Sequence, residues 1–366
     1  MASLPYPLNW LYNHGRVGMA GMPYPPTDCR SYIIYKDKYE HILMEKHLYV
    51  IGNGFDIHHC INSSYSDFRK WMQKEHPDVM TDFEEAYGEC DDEWWADFEN
   101  QLASLCIIEY ADNIAYENQP DLMSDHCDRT WNDAQIEVEQ SLDNLYANLK
   151  ECFHDWILQL EKPSSGKKIK MEIEGSVFLN FNYTKTLENL YGIKSENILH
   201  IHGGIDCDEN FIIGHGKTID DLKRENPEET PDPPENLNEE EYAEWWNEQI
   251  NSKEFHEQLA EEAAFQGVAS QRKPVEQIIQ KNNKFFCNLS NITHIHVYGM
   301  SFSEVDAPYL KLIAKEAKNA EWEFSDYKKG NERKIKKFIQ ENGIGKHRII
   351  ELNDILENKQ LDIDFL

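Results

Sequence analysis

The chain has 366 residues, 40% hydrophobic and 28% charged, a balance that fits a soluble globular protein with a large core and two structural units. A formal net charge of −31 argues against broad attraction to nucleic acid. It also means that an anionic ligand must be held by local N–H groups or a few basic residues, against the overall field. No apolar run approaches the roughly 18 residues that suggest a membrane span. The start, MASLPYPLNW, lacks the basic and continuous apolar regions of a signal peptide. The eight cysteines never form CxxC, so they read as free thiols of a reducing cytosol without a zinc module.

Residues 1–43 are rich in proline and glycine, show little periodicity and read as an extension, with one short candidate strand in SYIIYKDK. The first strong element is HLYVIGNGFD, 47–56, an apolar strand running straight into Gly52-Asn53-Gly54. Glycines after a parallel strand permit a tight turn and close approach of a ligand, and strand ends of this kind are where α/β proteins hold nucleotides. The motif is only part of a G-x-G-x-x-G fingerprint, and a tight turn after a core strand is the competing explanation. A helix follows Asn62-Ser63-Ser64 and runs to about Glu75.

Residues 78–99 carry ten acids and no lysine or arginine. Within them a helix starts near Asp91, burying Trp95, Phe98, Leu102 and Leu105. A longer helix, Glu137 to Leu160, has a stripe through Val138, Leu142, Leu145, Leu149, Phe153, Trp156 and Leu160. Residues 78–162 thus form a helical insertion in an α/β core whose first part is 44–77. The core resumes over 163–224. Strands are predicted at 175–181, ending at Asn182; at 198–202, ending in Gly203-Gly204; and at 211–213, ending in Gly214-His215-Gly216. Residues 225–262 hold fourteen acids and one lysine. They open as a Pro-rich loop and become helical from Glu239, with Tyr242, Trp245 or Trp246, Ile250, Phe255 and Leu259 as core candidates. A further helix spans Pro274 to Leu289, closing an acidic insertion over 225–290. The last core part, 291–366, alternates strands 293–298, 321–327 and 348–352 with helices after Asp306 and from Asn331 to Gln340, the βαβ rhythm of a parallel sheet.

Seven stretches in order, IGNGFD (51–56), SSYSDFRKWM (63–72), WWADFENQL (94–102), FNYTKTLENLYG (181–192), HIHGG (200–204), IIGHG (212–216) and YGMSFSEVDAPYL (298–310), resemble the AbiH family of bacterial abortive-infection proteins. The resemblance covers roughly residues 44–352 and implies a role in defence against phage. More distantly, the order GxG, DFR, NYT, HG and GxSxxxxD is similar to the sirtuin-like (SIR2) NAD-binding fold, implying a Rossmann-like parallel sheet. Under that likeness Gly52 and Gly54 lie at the dinucleotide phosphates and Asp67 near the nicotinamide; Asn53 and Asp56, counted with the cofactor-binding residues, depart from the small residues of the sirtuin turn. Asn182 holds the nicotinamide ribose or an attacking water. His202, before Gly203, is a base or ribose-hydroxyl partner, and Gly299, Ser301 and Asp306 contact the adenosine end. Thr184 departs from the acid expected after the Asn-x pair, and the missing CxxC pairs speak against protein deacylation.

Histidine suits a base near neutral pH, and asparagine can orient a water by donating and accepting together. His215 is a rival catalyst. Each candidate has a plainer explanation: a strand-end turn satisfied by Asn182, a structural hydrogen bond for His202, and a helix start capped by Asp56 or Asp67. Glu99 is an ordinary helix residue unless it faces the cleft. His58 and His59 lie near the glycine turn, His200 packs on a strand, and His294 and His296 lack a third metal ligand. The reading is therefore a cytoplasmic protein that hydrolyses the N-glycosidic bond of NAD or a related nucleotide without a metal. The alternatives are a nucleotide sensor or scaffold without turnover, and a metal-dependent nuclease. A homo-oligomer and a phage-derived trigger are the partners expected by analogy.

Overall fold

A computed structural model describes residues 46–120, 130–160, 162–205, 211–227, 233–234, 238–250 and 253–357, with the side chains of 246–250 left aside. The N-terminal extension and its candidate strand lie outside the described residues, as do parts of the Pro-rich loop. From His47 onward the chain is one compact unit.

In chain order, β1 (His47–Ile51) leads into α1 (Asn53–His58) and α2 (Tyr65–Glu75). The first insertion holds α3 (Pro77–Tyr87), α4 (Asp92–Ala96), α5 (Phe98–Gln101), α6 (Ile107–Glu117) and α7 (Asp133–Leu158). Next come β2 (Val177–Asn180), α8 (Thr186–Tyr191), β3 (Ile198–His200) and α9 (Ile219–Glu225). The second insertion holds α10 (Glu239–Ile250), α11 (Phe255–Ala269), α12 (Val275–Lys281) and α13 (Asn283–Cys287). The chain closes with β4 (His294–Tyr298), α14 (Ala307–Glu316), β5 (Glu321–Ser325), α15 (Glu332–Glu341) and β6 (His347–Ile350).

The six strands form one parallel sheet in the order β3-β2-β1-β4-β5-β6. This is the doubly wound order whose direction reverses between β1 and β4, where the chain ends of the strands open a crevice. Alternation along each strand sends side chains to two cores. Leu48, Val50, Leu179, Ile295, Val297, Trp322 and Phe324 pack on one side, under α12–α15. Tyr49, Ile51, Phe178 and Tyr298 pack on the other, with Leu187 and Tyr191 of α8. A third core belongs to the insertions, where α11 lies across α6 and α7.

Several expectations change. The acidic stretch 78–99 contains α3, because Val79, Met80 and Phe83 supply a buried face among the acids. The helix expected from Asp91 breaks into α4 and α5, although Trp95, Phe98, Leu102 and Leu105 are all buried. Tyr242 and Phe255, proposed core residues, are exposed; α10 ends at Ile250, and Glu254 opens α11 with a capping box. The segment 211–213 joins no sheet. Its neighbour His215 instead forms an isolated parallel bridge with Arg272. The five described cysteines, Cys60, Cys90, Cys106, Cys152 and Cys287, are free thiols. Among the described residues no helix is long and apolar enough to cross a membrane.

Candidate active site

The floor of the crevice is backbone. Gly52 N–H donates to Tyr298 O at 2.9 Å and Gly54 N–H to Gly299 O at 2.8 Å, so the turns after β1 and β4 interlock. A Cβ on Gly54 would lie 2.8 Å from Gly299 Cα, and one on Gly299 would lie 2.1 Å from Phe55 N. Gly299 also has φ +71°, a left-handed conformation that favours glycine. The expected phosphate donors at Gly52 and Gly54 are thus spent on holding two turns together. Both glycines still line the cavity above, which measures about 670 Å³, within the range of about 300–1,000 Å³ common for ligand sites.

Side chains fasten the surrounding loops. Asn53 Nδ2 donates to Ser63 O at 2.8 Å and Asn53 Oδ1 accepts from Ser63 Oγ at 2.6 Å. Asp56 accepts from Thr184 Oγ1 at 2.5 Å and Thr186 Oγ1 at 2.7 Å, tying α1 to the loop after β2. Burial pushes the Asp56 carboxyl from its usual 3.8 up to about 6, although those hydroxyls and the Asn182 amide pull it down. Asn182 Nδ2 donates to Gly52 O at 3.1 Å, which sets the end of β2 against the end of β1.

One wall is a buried cluster of charges. His202, beyond β3, is held edge-on by Phe181 and Tyr309, with ring centroids 5.3 and 5.9 Å away. Its Nε2 has no hydrogen-bond partner and stands 3.7 Å from Asp306 Oδ1. Asp306 Oδ1 is 3.9 Å from Lys273 Nζ, which lies 2.7 Å from Glu99 Oε1. The phenol of Tyr65 donates to Glu99. Burial raises both carboxyls above their usual range, against the pull of Lys273. Burial, aided by Lys273, keeps His202 well below its ordinary value. His202 is therefore neutral at physiological pH and can receive or donate one hydrogen bond, but is a weak base.

Lys273 was not apparent from sequence, because an Arg-Lys pair before proline reads as a solvated loop. It is only 1% exposed. A backbone seam puts it there: His215 N–H donates to Gln271 O at 3.2 Å and Lys273 N–H to His215 O at 2.8 Å. A Cβ at Gly214 would sit 1.9 Å from Gln271 O, so only glycine allows this approach. Glu99 belongs to the first insertion and lines the cavity, and Lys273 belongs to the second and backs it from behind the wall.

The cavity brings together Gly52, Asn53, Gly54, Asp56, Asn182, His202, Gly299, Ser301 and Asp306 of the expected site. Asp67, His215 and Gly203 lie off its wall. Asp67 closes a capping box with Ser64 at the start of α2, accepting from Ser64 N at 3.3 Å and Ser64 Oγ at 2.5 Å. His215 is fully buried, with Nε2 donating to Val268 O at 2.9 Å and Nδ1 accepting from Lys217 N–H at 3.0 Å, so both nitrogens are occupied. Gly203 has φ +84° and serves the turn after β3. His200 instead meets Glu188 at 2.9 Å, and His58 meets Lys167 O at 2.9 Å. His294 stacks on His47 while His296 bonds Glu323, so neither reaches the cavity.

The parallel doubly wound sheet, with a cavity at its reversal point, makes this an α/β protein of the open-sheet class. Residues 48–326 match the family model described as bacteriophage abortive infection AbiH, and the chain belongs to that family. No curated protein and no solved structure matches the chain.

Proposed function

We propose that this abortive-infection protein binds NAD or a closely related dinucleotide in the cavity and hydrolyses its nicotinamide–ribose bond. The observation that carries the reading is the convergence, at the reversal point, of the Asn182 amide and the unpartnered His202 Nε2 on one cavity above the glycine floor. Nε2 is buried and unpartnered, a group that a ribose hydroxyl reaching the wall would satisfy. Asn182, fixed through Gly52 O, orients the sugar or a water beside it. Gly299, Ser301 and Asp306 line the other strand's end and would face the adenosine half. Cleavage builds positive charge on the ribose, and a wall bearing two carboxylates favours that charge.

Nicotinamide release from NAD, measured with chelator present, tests this. Wild type should release nicotinamide, and His202→Ala and Asn182→Ala should each fall about 100-fold or more. Undiminished release by both variants would overturn the assignment of the site. A second reading, a nucleotide sensor without turnover, draws on the enclosure of His202 and on Thr184, whose hydroxyl is engaged by Asp56. It expects NAD binding with no nicotinamide release.

A further inference from the structure

We infer that Glu99 is the general base of this site and that Lys273 is its positioning residue. The inference rests on the hydrolytic reading above.

The carboxylates on the cavity wall differ in what holds them. Asp56 is consumed by two threonine hydroxyls. Asp97 accepts from Asn100, and Asp326 from Asn331 N–H. Asp306 accepts from Ser303 and turns its other oxygen to His202 and Lys273. Glu99 has one oxygen against an ammonium and takes the Tyr65 phenol, while its side chain remains 13% exposed on the cavity wall. Lys273 itself does not reach the wall and is 1% exposed. Its described polar neighbours are Glu99 and Asp306.

Burying a lysine with two acids is expensive and is not an economical way to stabilise a fold. Such an arrangement is common where a carboxylate must be fixed in place and tuned. The groups facing Glu99 are Tyr65 from α2, Tyr183 from the loop after β2, Lys273 before α12, and Asp306 and Tyr309 at the start of α14. His202 stands behind Asp306. Burial outweighs Lys273, so the Glu99 carboxyl titrates above its ordinary range and is a better base than a free glutamate.

In the step, the C1′–N bond breaks and its electron pair stays on the nicotinamide nitrogen, which becomes neutral. Water oxygen bonds to C1′. One water proton passes to the Glu99 carboxylate and then to solvent. The products are ADP-ribose, nicotinamide and one proton, so atoms and charge balance.

The test follows nicotinamide release and NAD affinity from pH 5 to 9 in wild type, Glu99→Gln, Lys273→Met and Lys273→Arg. Wild type should show a rate that rises with pH through the Glu99 titration. Glu99→Gln should lose about 10²–10⁴-fold in kcat, lack that rising limb and keep its affinity for NAD. Lys273→Met should move the limb to higher pH, because the cation that favours the carboxylate is gone, and Lys273→Arg should restore it. Retention of both rate and limb by Glu99→Gln would overturn the assignment while leaving NAD hydrolysis intact. Wild type that binds NAD without releasing nicotinamide across this range, or fails to bind it, would overturn the hydrolytic reading and this inference together.

Discussion

Two buried polar clusters in this molecule use nearly the same residue types and treat them differently. On the sheet, His47 Nδ1 meets His296 Nε2 at 2.9 Å, His296 Nδ1 meets Glu323 Oε1 at 2.8 Å, and Tyr298 OH donates to the same oxygen at 2.5 Å. Arg348 pairs with the other Glu323 oxygen. His296, Glu323 and Arg348 sit at matched registers on β4, β5 and β6, and His47 lies on β1 two residues before Tyr49, the register partner of His296, so the pleat assembles the ladder. Burial would raise the Glu323 carboxyl, but His296, Tyr298 and Arg348 together bring it from 4.5 down to about 2. In the cavity, Glu99 and Asp306 are instead pushed up, and His202 Nε2 has no partner. The sheet cluster pairs each Glu323 oxygen, one by hydrogen bonds and one by an ion pair, whereas His202 Nε2 in the cavity stands no closer than 3.7 Å to a charged partner, and such incomplete pairing costs stability.

The largest expected effect breaks the satisfied side. Glu323→Ala should cost about 3–4 kcal/mol of folding stability, because it strands the buried His296 and Tyr298 and empties a packed site. Urea denaturation measures it, and a loss under about 1 kcal/mol would erase the contrast. On the other side, Lys273→Met alone should lose about 3 kcal/mol by leaving two buried carboxylates uncompensated. Adding Glu99→Gln should recover most of that, and a double-mutant cycle would show the coupling.

The pH dependence of stability sharpens the comparison, because the two kinds of site have opposite signs. Glu323, depressed in the fold, stabilises above pH 4.5, and that contribution is lost as pH falls from 4.5 toward 2. Asp56, raised in the fold, contributes stability below about 3.8 that is lost as pH rises through about 6. Asp56→Asn should therefore flatten a fall of about 2–3 kcal/mol between pH 4 and 6. Denaturation midpoints at pH 4, 5, 6 and 7 check this, and an unchanged slope would refute it. The smallest effect is at the helix cap. Asp67→Ala should cost about 1 kcal/mol of stability and leave NAD affinity unchanged by titration calorimetry; a drop in affinity would return Asp67 to the site.

The strand ends were legible in sequence because a buried parallel strand and its turn leave a compact signature. An apolar run meeting Gly or Asn located β1, β2, β3 and β4, and with them Asn182 and His202. The same signature misled at Phe211-Ile212-Ile213, whose backbone neighbours belong to 202 and 271–273 rather than to a strand. Asp67 looked catalytic because Asp-Phe-Arg matches a local pattern, yet Ser64-x-x-Asp67 is also a capping box, and the shorter-range bonds won. Glu99 stood out only on the condition that its helix faced the cleft, and Lys273, in a loop, did not stand out at all. Nothing local distinguishes a buried charge from a solvated one, since their pairing depends on two insertions meeting far along the chain.

That meeting has a consequence for how the molecule can be divided. The ammonium hangs from the seam that Gly214 and His215 make with Gln271 and Lys273, and the carboxylate it faces rides on α5. A sheet excised with its own helices would keep the glycine floor and the Asn182 amide and would lack both halves of that pair. The buried charge pair is therefore not portable: the sheet and its two insertions build it together, and neither is a smaller version of the whole.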